Sequence, residues 1–264
     1  MAIPRVNILG VGIHAIDMEI ALDTIDRWIN TREHHYICLT IVYSVMLCQR
    51  DEKLRRIFNS AGLTVPAGMP LVWLSRLKGF SQISRVRDPD LMFAVGERSA
   101  QKNYRHFIYG GAEGVPELLA EEFTRRYPGL VITGTFSPPF RPLTREEDDQ
   151  VVQMINGSQA DIVWVALGCP KQERWMVAHV GRLSAPVLIG VGAGIDFVTK
   201  QKREAPRWMQ QIALEWLFRF INEPRRLWYR SLVCNPLFVL HIMAQTLRLR
   251  KYDLGPDDVQ AQRI

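Results

Sequence analysis

Three groups of residues have the types and spacing to do chemistry. The first is residues 161–175, Asp-Ile-Val-Trp-Val-Ala-Leu-Gly-Cys-Pro-Lys-Gln-Glu-Arg-Trp. Its apolar run, Ile162 to Leu167, has the length and continuity of a buried parallel strand. Lys171, Gln172 and Glu173 follow the turn at Gly168-Cys169-Pro170, which puts them where open α/β sheets collect ligands. An ordinary strand–turn–helix link with a solvated Lys-Gln-Glu fits the same residues. The second group is Gly110-Gly-Ala-Glu-Gly114, placed after a strand and before a helix, where backbone N–H groups can cradle a phosphate. A tight turn is the favoured account of it. The third is the run Glu215 to Arg230, whose Arg219, Arg225, Arg226 and Arg230 suit bidentate phosphate binding.

Several chemistries are disfavoured. The glycines at 110–114 do not make the dinucleotide GxGxxG, which argues against a Rossmann dehydrogenase, and no Walker lysine motif argues for a P-loop NTPase. There is no GxSxG elbow, no HExxH, and no cluster of His, Cys and Asp. No metal and no cofactor are therefore expected. His14, His34, His35, His106, His179 and His241 are dispersed and read as structural or solvated. The four cysteines, Cys38, Cys48, Cys169 and Cys234, lack disulfide or zinc spacing and read as free thiols of a reducing compartment.

Charge is unevenly spread. The 264 residues carry a net +6, but residues 200–251 hold eleven basic against three acidic residues, a net +8. This tail is where an anionic partner should bind: phosphate, an anionic membrane surface or nucleic acid. Trp and aliphatic residues interleave with its arginines, which fits a membrane better than a nucleic acid, and no nucleic-acid partner is expected. Leu232 to Leu247 is strongly apolar and ends in Arg248, Arg250 and Lys251, a pattern that suits a helix lying in a membrane interface. A helix packed on the core suits it as well. It is too interrupted for a spanning helix, and the N-terminal residues do not read as a signal peptide, so a cytoplasmic location is expected.

The elements that must position these residues alternate. Val6–Val11 reads as a strand, Ile16–Thr31 as a helix, His35–Thr40 as a strand and Val42–Ser60 as one long helix. Strands follow at Leu63–Val65, His106–Tyr109, Leu130–Thr135, Ile162–Leu167 and Val187–Val191, with helices between them. Thr144, with Glu147 three residues on, predicts a capping box. Such alternation predicts an α/β fold: a Rossmann-like, mostly parallel sheet with helices on both faces. Helical spacing alone continues past Gly194, and there Trp216, Leu217 and Phe220 are expected to be buried. The predicted division is an α/β core over 1–200 and a basic, apolar helical appendage over 201–264.

Together these stretches resemble the WecG/TagA/CpsF glycosyltransferases of bacterial cell-surface polysaccharide synthesis over about residues 5–235. The marks are Gly168-Cys-Pro-Lys-Gln-Glu-Arg-Trp175, Ile189-Gly-Val-Gly192 with Asp196-Phe197, Ala205-Pro-Arg-Trp208, and Leu214-Glu-Trp-Leu-Phe-Arg219 with Glu223-Pro-Arg-Arg226. The resemblance implies inverting, metal-independent transfer from a UDP-sugar to a polyprenyl-diphosphate-linked sugar, at the inner face of the bacterial plasma membrane. It implies a donor site in the core, at Thr40, Gly68, Gly110, Gly168, Lys171, Gln172, Glu173 and Gly192. Arg85, Arg219, Arg225, Arg226 and Arg230 are implied to meet the diphosphates of donor and acceptor. An apolar appendage of this kind also tends towards a homo-oligomer when no membrane is present.

The sequence departs from the family where the base should be. The family usually reads Asp-Gly-Met-Pro, with the aspartate as proposed base, where this chain has Ala67-Gly-Met-Pro70. A methyl group takes no proton. Ile41 and Tyr43 stand where the family often carries Asn or His, and Asp88 replaces a usual glycine in Arg85-Val-Arg-Asp-Pro-Asp90. Three expectations follow: Asp88 or Asp90 supplies the base and transfer is impaired or rerouted, the chain is an inactivated variant, or it is a non-catalytic homologue that binds a nucleotide-sugar or partner glycosyltransferases.

Overall fold

A computed structural model describes residues 3–255. Six strands form one parallel sheet: β3 (His35–Thr40), β4 (Leu63–Pro66), β5 (Arg105–Gly110), β6 (Val131–Phe136), β7 (Ile162–Ala166) and β8 (Val187–Gly190), in the order β4-β3-β8-β7-β5-β6. Alternation along each strand feeds two separate cores. Tyr36, Cys38, Phe107, Tyr109, Val163, Val165 and Leu188 face one side, while Ile37, Leu39, Ile108, Ile162, Trp164, Val187 and Ile189 face the other. Burial on both faces explains why these strands read as continuous apolar runs.

Two corrections concern the first sixty residues. The predicted strand Val6–Val11 is an antiparallel hairpin outside the sheet, β1 (Arg5–Ile8) and β2 (Val11–His14). Its turn residues Leu9 and Gly10 both have positive φ, and Asn7 Oδ1 accepts the Gly10 N–H at 2.8 Å, so the chain reverses within the apolar run. The predicted helix Val42–Ser60 is two helices, α2 (Val42–Cys48) and α3 (Glu52–Asn59), after α1 (Met18–Thr31). Asp51 adopts extended backbone angles between them and caps α3 by accepting the Leu54 N–H at 2.9 Å.

The remaining helices of the α/β layers are α4 (Met69–Leu77), α5 (Asp88–Lys102), α6 (Val115–Arg126), α7 (Arg145–Gly157), α8 (Lys171–His179) and α9 (Gly194–Val198). The capping box is present: Glu147 N–H donates to Thr144 Oγ1 at 3.2 Å, and Thr144 N–H to Glu147 Oε2 at 2.9 Å. Past Gly194 the described chain is helical, with α10 (Arg207–Gln211), α11 (Glu215–Asn222), α12 (Pro224–Trp228), a π-helical turn (Tyr229–Cys234) and α13 (Asn235–Thr246). Cys234, Phe238 and Tyr252 join the core on the hairpin side of the sheet. The carbonyls of Tyr252 and Leu254 accept from Asn7 and Asn59, both at 2.6 Å. Among the described residues, no helix is long and apolar enough to cross a membrane.

Candidate active site

Glycines clear the carboxyl ends of the central strands. A Cβ on Gly190 would lie 2.7 Å from Met176 Cε and 2.9 Å from Gln172 Nε2, so glycine there lets the Gln172 side chain lie across the end of β8. A Cβ on Gly194 would lie 2.7 Å from Asp88 Cβ, so glycine there brings the start of α9 against the start of α5. A cavity of about 330 Å³ opens above these ends. Its floor includes Leu39, Ala67, Gly168, Gln172 and Gly192, and its outer wall comes from the C-terminal segment, with Glu215, Arg219, Arg226, Tyr229 and Arg230. Asp88, at the first position of α5, faces into it from the side.

The charges in this cavity are not evenly paired. Among the described residues Arg219 and Arg230 have no carboxylate within 4 Å; their guanidinium groups lie over aromatic rings, 4.8 Å from that of Phe197 and 5.4 Å from that of Tyr43. Burial and the neighbouring Arg219 pull Arg230 down to about 10, the mark of a cation short of counter-charge. Burial pushes the Asp88 carboxyl up to about 6, against the guanidinium groups of Arg219, Arg87 and Arg230, which favour its charged form. Arg226 is held by Glu223 at 2.7 Å. The arrangement can therefore do two things: seat a polyanion between Arg219 and Arg230, and take up a proton at Asp88 near neutral pH.

Arg85 is differently placed. Its Nε donates to the Ala67 carbonyl at 3.0 Å, its Nη1 to the Gln210 carbonyl at 2.9 Å, and its Nη2 to Glu215 Oε2. Each of the three nitrogens thus has a protein partner. Arg87 reaches Glu204 at 3.0 Å, Asp90 at 3.7 Å and Glu215 at 3.8 Å.

Of the other residues singled out in the sequence, Thr40 is buried behind the floor. Its hydroxyl donates to the Cys38 carbonyl at 3.1 Å, and its own carbonyl accepts the Ala67 N–H at 2.9 Å. Gln172 Oε1 accepts the Gly168 N–H at 3.2 Å and its Nε2 donates to Glu173 Oε1 at 3.2 Å. Glu173 itself is fully buried, and burial raises its carboxyl. Gly68 precedes α4, Asp90 pairs with Arg87, and Arg225 is exposed on α12; none of the three lines the cavity. Gly110 and Lys171 lie outside it as well. A Cβ on Gly110 would lie 2.7 Å from the Ala166 backbone at a φ of +106°, so strand packing accounts for that glycine. The Lys171 ammonium sits 4.9 Å from the ring of exposed Phe140.

The sequence reading missed Arg87, Glu215 and Phe197 as lining residues, while Tyr43, noted as a departure at the site, does line it. One signal was present: Glu215 and Arg219 stand four residues apart and so share a face of α11. That face turns inward, which also corrects the expected burial of α11. No residue of α11 is fully buried, and Trp216 is 37% exposed.

The family model for the glycosyl transferase WecG/TagA/CpsF family matches residues 6–252. Two similar proteins are both N-acetylglucosaminyldiphosphoundecaprenol N-acetyl-beta-D-mannosaminyltransferases. The one from Bacillus spizizenii is 28% identical over 194 residues, 74% of this chain and 73% of its own length. The one from Bacillus subtilis strain 168 is 26% identical over 215 residues, 81% of each chain. The match spans sheet, cavity and C-terminal helices alike, and the chain belongs to the glycosyl transferase WecG/TagA/CpsF family.

Proposed function

We propose that the chain transfers a sugar from a UDP-sugar to N-acetylglucosamine carried on a polyprenyl diphosphate, with inversion at the anomeric carbon. The observation that carries this reading is the cavity at the sheet's carboxyl edge, where Arg219 and Arg230, with no carboxylate within 4 Å among the described residues, share the lining with Asp88. The acceptor follows the relatives' printed activity. In this reading Arg219 and Arg230 stabilise the negative charge that grows on the departing UDP. Asp88 takes the proton from the acceptor hydroxyl as that oxygen attacks the anomeric carbon. Ala67 and Gln172 border the sugar. Arg226 and Arg225 are assigned to the acceptor diphosphate, and the donor lies along Gly168, Gly192 and the end of β8.

The outward face of the C-terminal helices supports a membrane partner. Trp208, Ile212, Trp228, Leu240 and Met243 are exposed along these helices, and Arg248, Arg250 and Lys251 are exposed just after α13. Such a face would lie on anionic lipid at the inner membrane surface, with the cavity mouth near the headgroups of a lipid-linked acceptor. It would also associate with a second copy in the absence of lipid. The division into a core to residue 200 and an acceptor-binding segment after it is part of this proposal.

A second reading has its own observation: Ala67 presents a methyl group at the cavity floor where the family usually carries aspartate. It makes the chain a nucleotide-sugar binder without turnover. Incubation with radiolabelled UDP-sugars and synthetic polyprenyl-diphosphate-N-acetylglucosamine separates the two. The first reading expects a labelled lipid-linked disaccharide; UDP binding without any labelled lipid would favour the second.

A further inference from the structure

Resting on that reading, we infer that Glu215 is a positioning residue: clasped by Arg85 and Arg87, it sets Arg219 in the donor cavity. Glu215 is the first residue of α11 and Arg219 lies one turn on, so both side chains share a face. The loop before α5 grips this first turn twice, through Arg85 Nη2 and through Arg87 Nε at 3.8 Å. Arg85 also bonds the Gln210 carbonyl at 2.9 Å, and Arg87 bonds Glu204 at 3.0 Å. Three points of the C-terminal segment are thereby tied to two arginines of the core. Burial opposes ionisation of Glu215, but Arg85 and Arg87 outweigh it and hold its carboxyl below the usual range.

The alternative role for Glu215 is electrostatic. A carboxylate near the anion seat repels a diphosphate, and its neutralisation would then tighten binding. The clasp makes the opposite prediction. With Glu215→Gln the guanidinium groups of Arg85 and Arg87 lose a charged partner, α11 loosens and Arg219 leaves its place.

UDP affinity and backbone hydrogen exchange over residues 207–230 test this in the full chain. Glu215→Gln should weaken UDP binding roughly tenfold and speed exchange in α11, whereas Glu215→Asp, which keeps the charge, should recover most of the affinity. In an Arg219→Ala background Glu215→Gln should cost little further affinity, because the two act as a unit; independent structural damage would add in full. Tighter UDP binding by Glu215→Gln, unchanged exchange, or full additivity with Arg219→Ala each overturns the clasp. A wild-type chain that binds no UDP overturns the donor reading instead, and the exchange comparison then decides the clasp by itself.

Discussion

In the proposed transfer, the chemistry turns on Asp88. An aspartate at the first position of a helix is favoured in its charged form by the helix dipole, yet burial dominates here and raises the carboxyl to about 6. A base must be ionised to accept a proton. Transfer catalysed by Asp88 should therefore fall as pH drops through about 6 and level off above it, measured as kcat/KM against pH. Arg219 and Arg230 favour the ionised form. Replacing either with methionine should move that inflection to higher pH, and a profile that does not move would remove Asp88 from the role.

At the scale of elements, what positions the site is the set of strand ends and the helix starts beside them. Most of this was legible in the sequence, because apolar runs of strand length and caps such as Thr144–Glu147 are local signals. The capping box lies on α7, away from the cavity, so Thr144→Ala should cost about 1 kcal/mol of unfolding free energy and leave transfer unchanged. Chemical denaturation beside an activity assay checks both halves. The hairpin turn at Leu9-Gly10 and the cap at Asp51 were not read, since each interrupts a run whose apolar pattern continues across it. The cavity was legible only in part. Gly168, Gln172 and Gly192 stand at strand ends that periodicity locates. The approach of Glu215 to Arg85, in contrast, joins residues 130 positions apart, and no local pattern encodes it.

Over the whole molecule, the positive tail noticed in the composition divides into two uses. Arg219, Arg226 and Arg230 line the cavity, while Arg248, Arg250 and Lys251 stay exposed just after α13. The chain should sediment with anionic vesicles far more than with zwitterionic ones. Changing Leu240 and Met243 together to glutamate should abolish that binding while UDP affinity is kept, because neither residue lines the cavity. Sedimentation of the double variant at the wild-type level would place the membrane contact elsewhere.

The most direct test of the account is labelled sugar transfer to polyprenyl-diphosphate-N-acetylglucosamine by four chains: wild type, Asp88→Asn, Ala67→Asp, and the two changes combined. The account predicts transfer by the wild type, a loss of about 10²–10⁴-fold in Asp88→Asn, and recovery when Ala67→Asp supplies a carboxylate from the cavity floor. Undiminished transfer by Asp88→Asn, or transfer only by chains carrying Ala67→Asp, would contradict it.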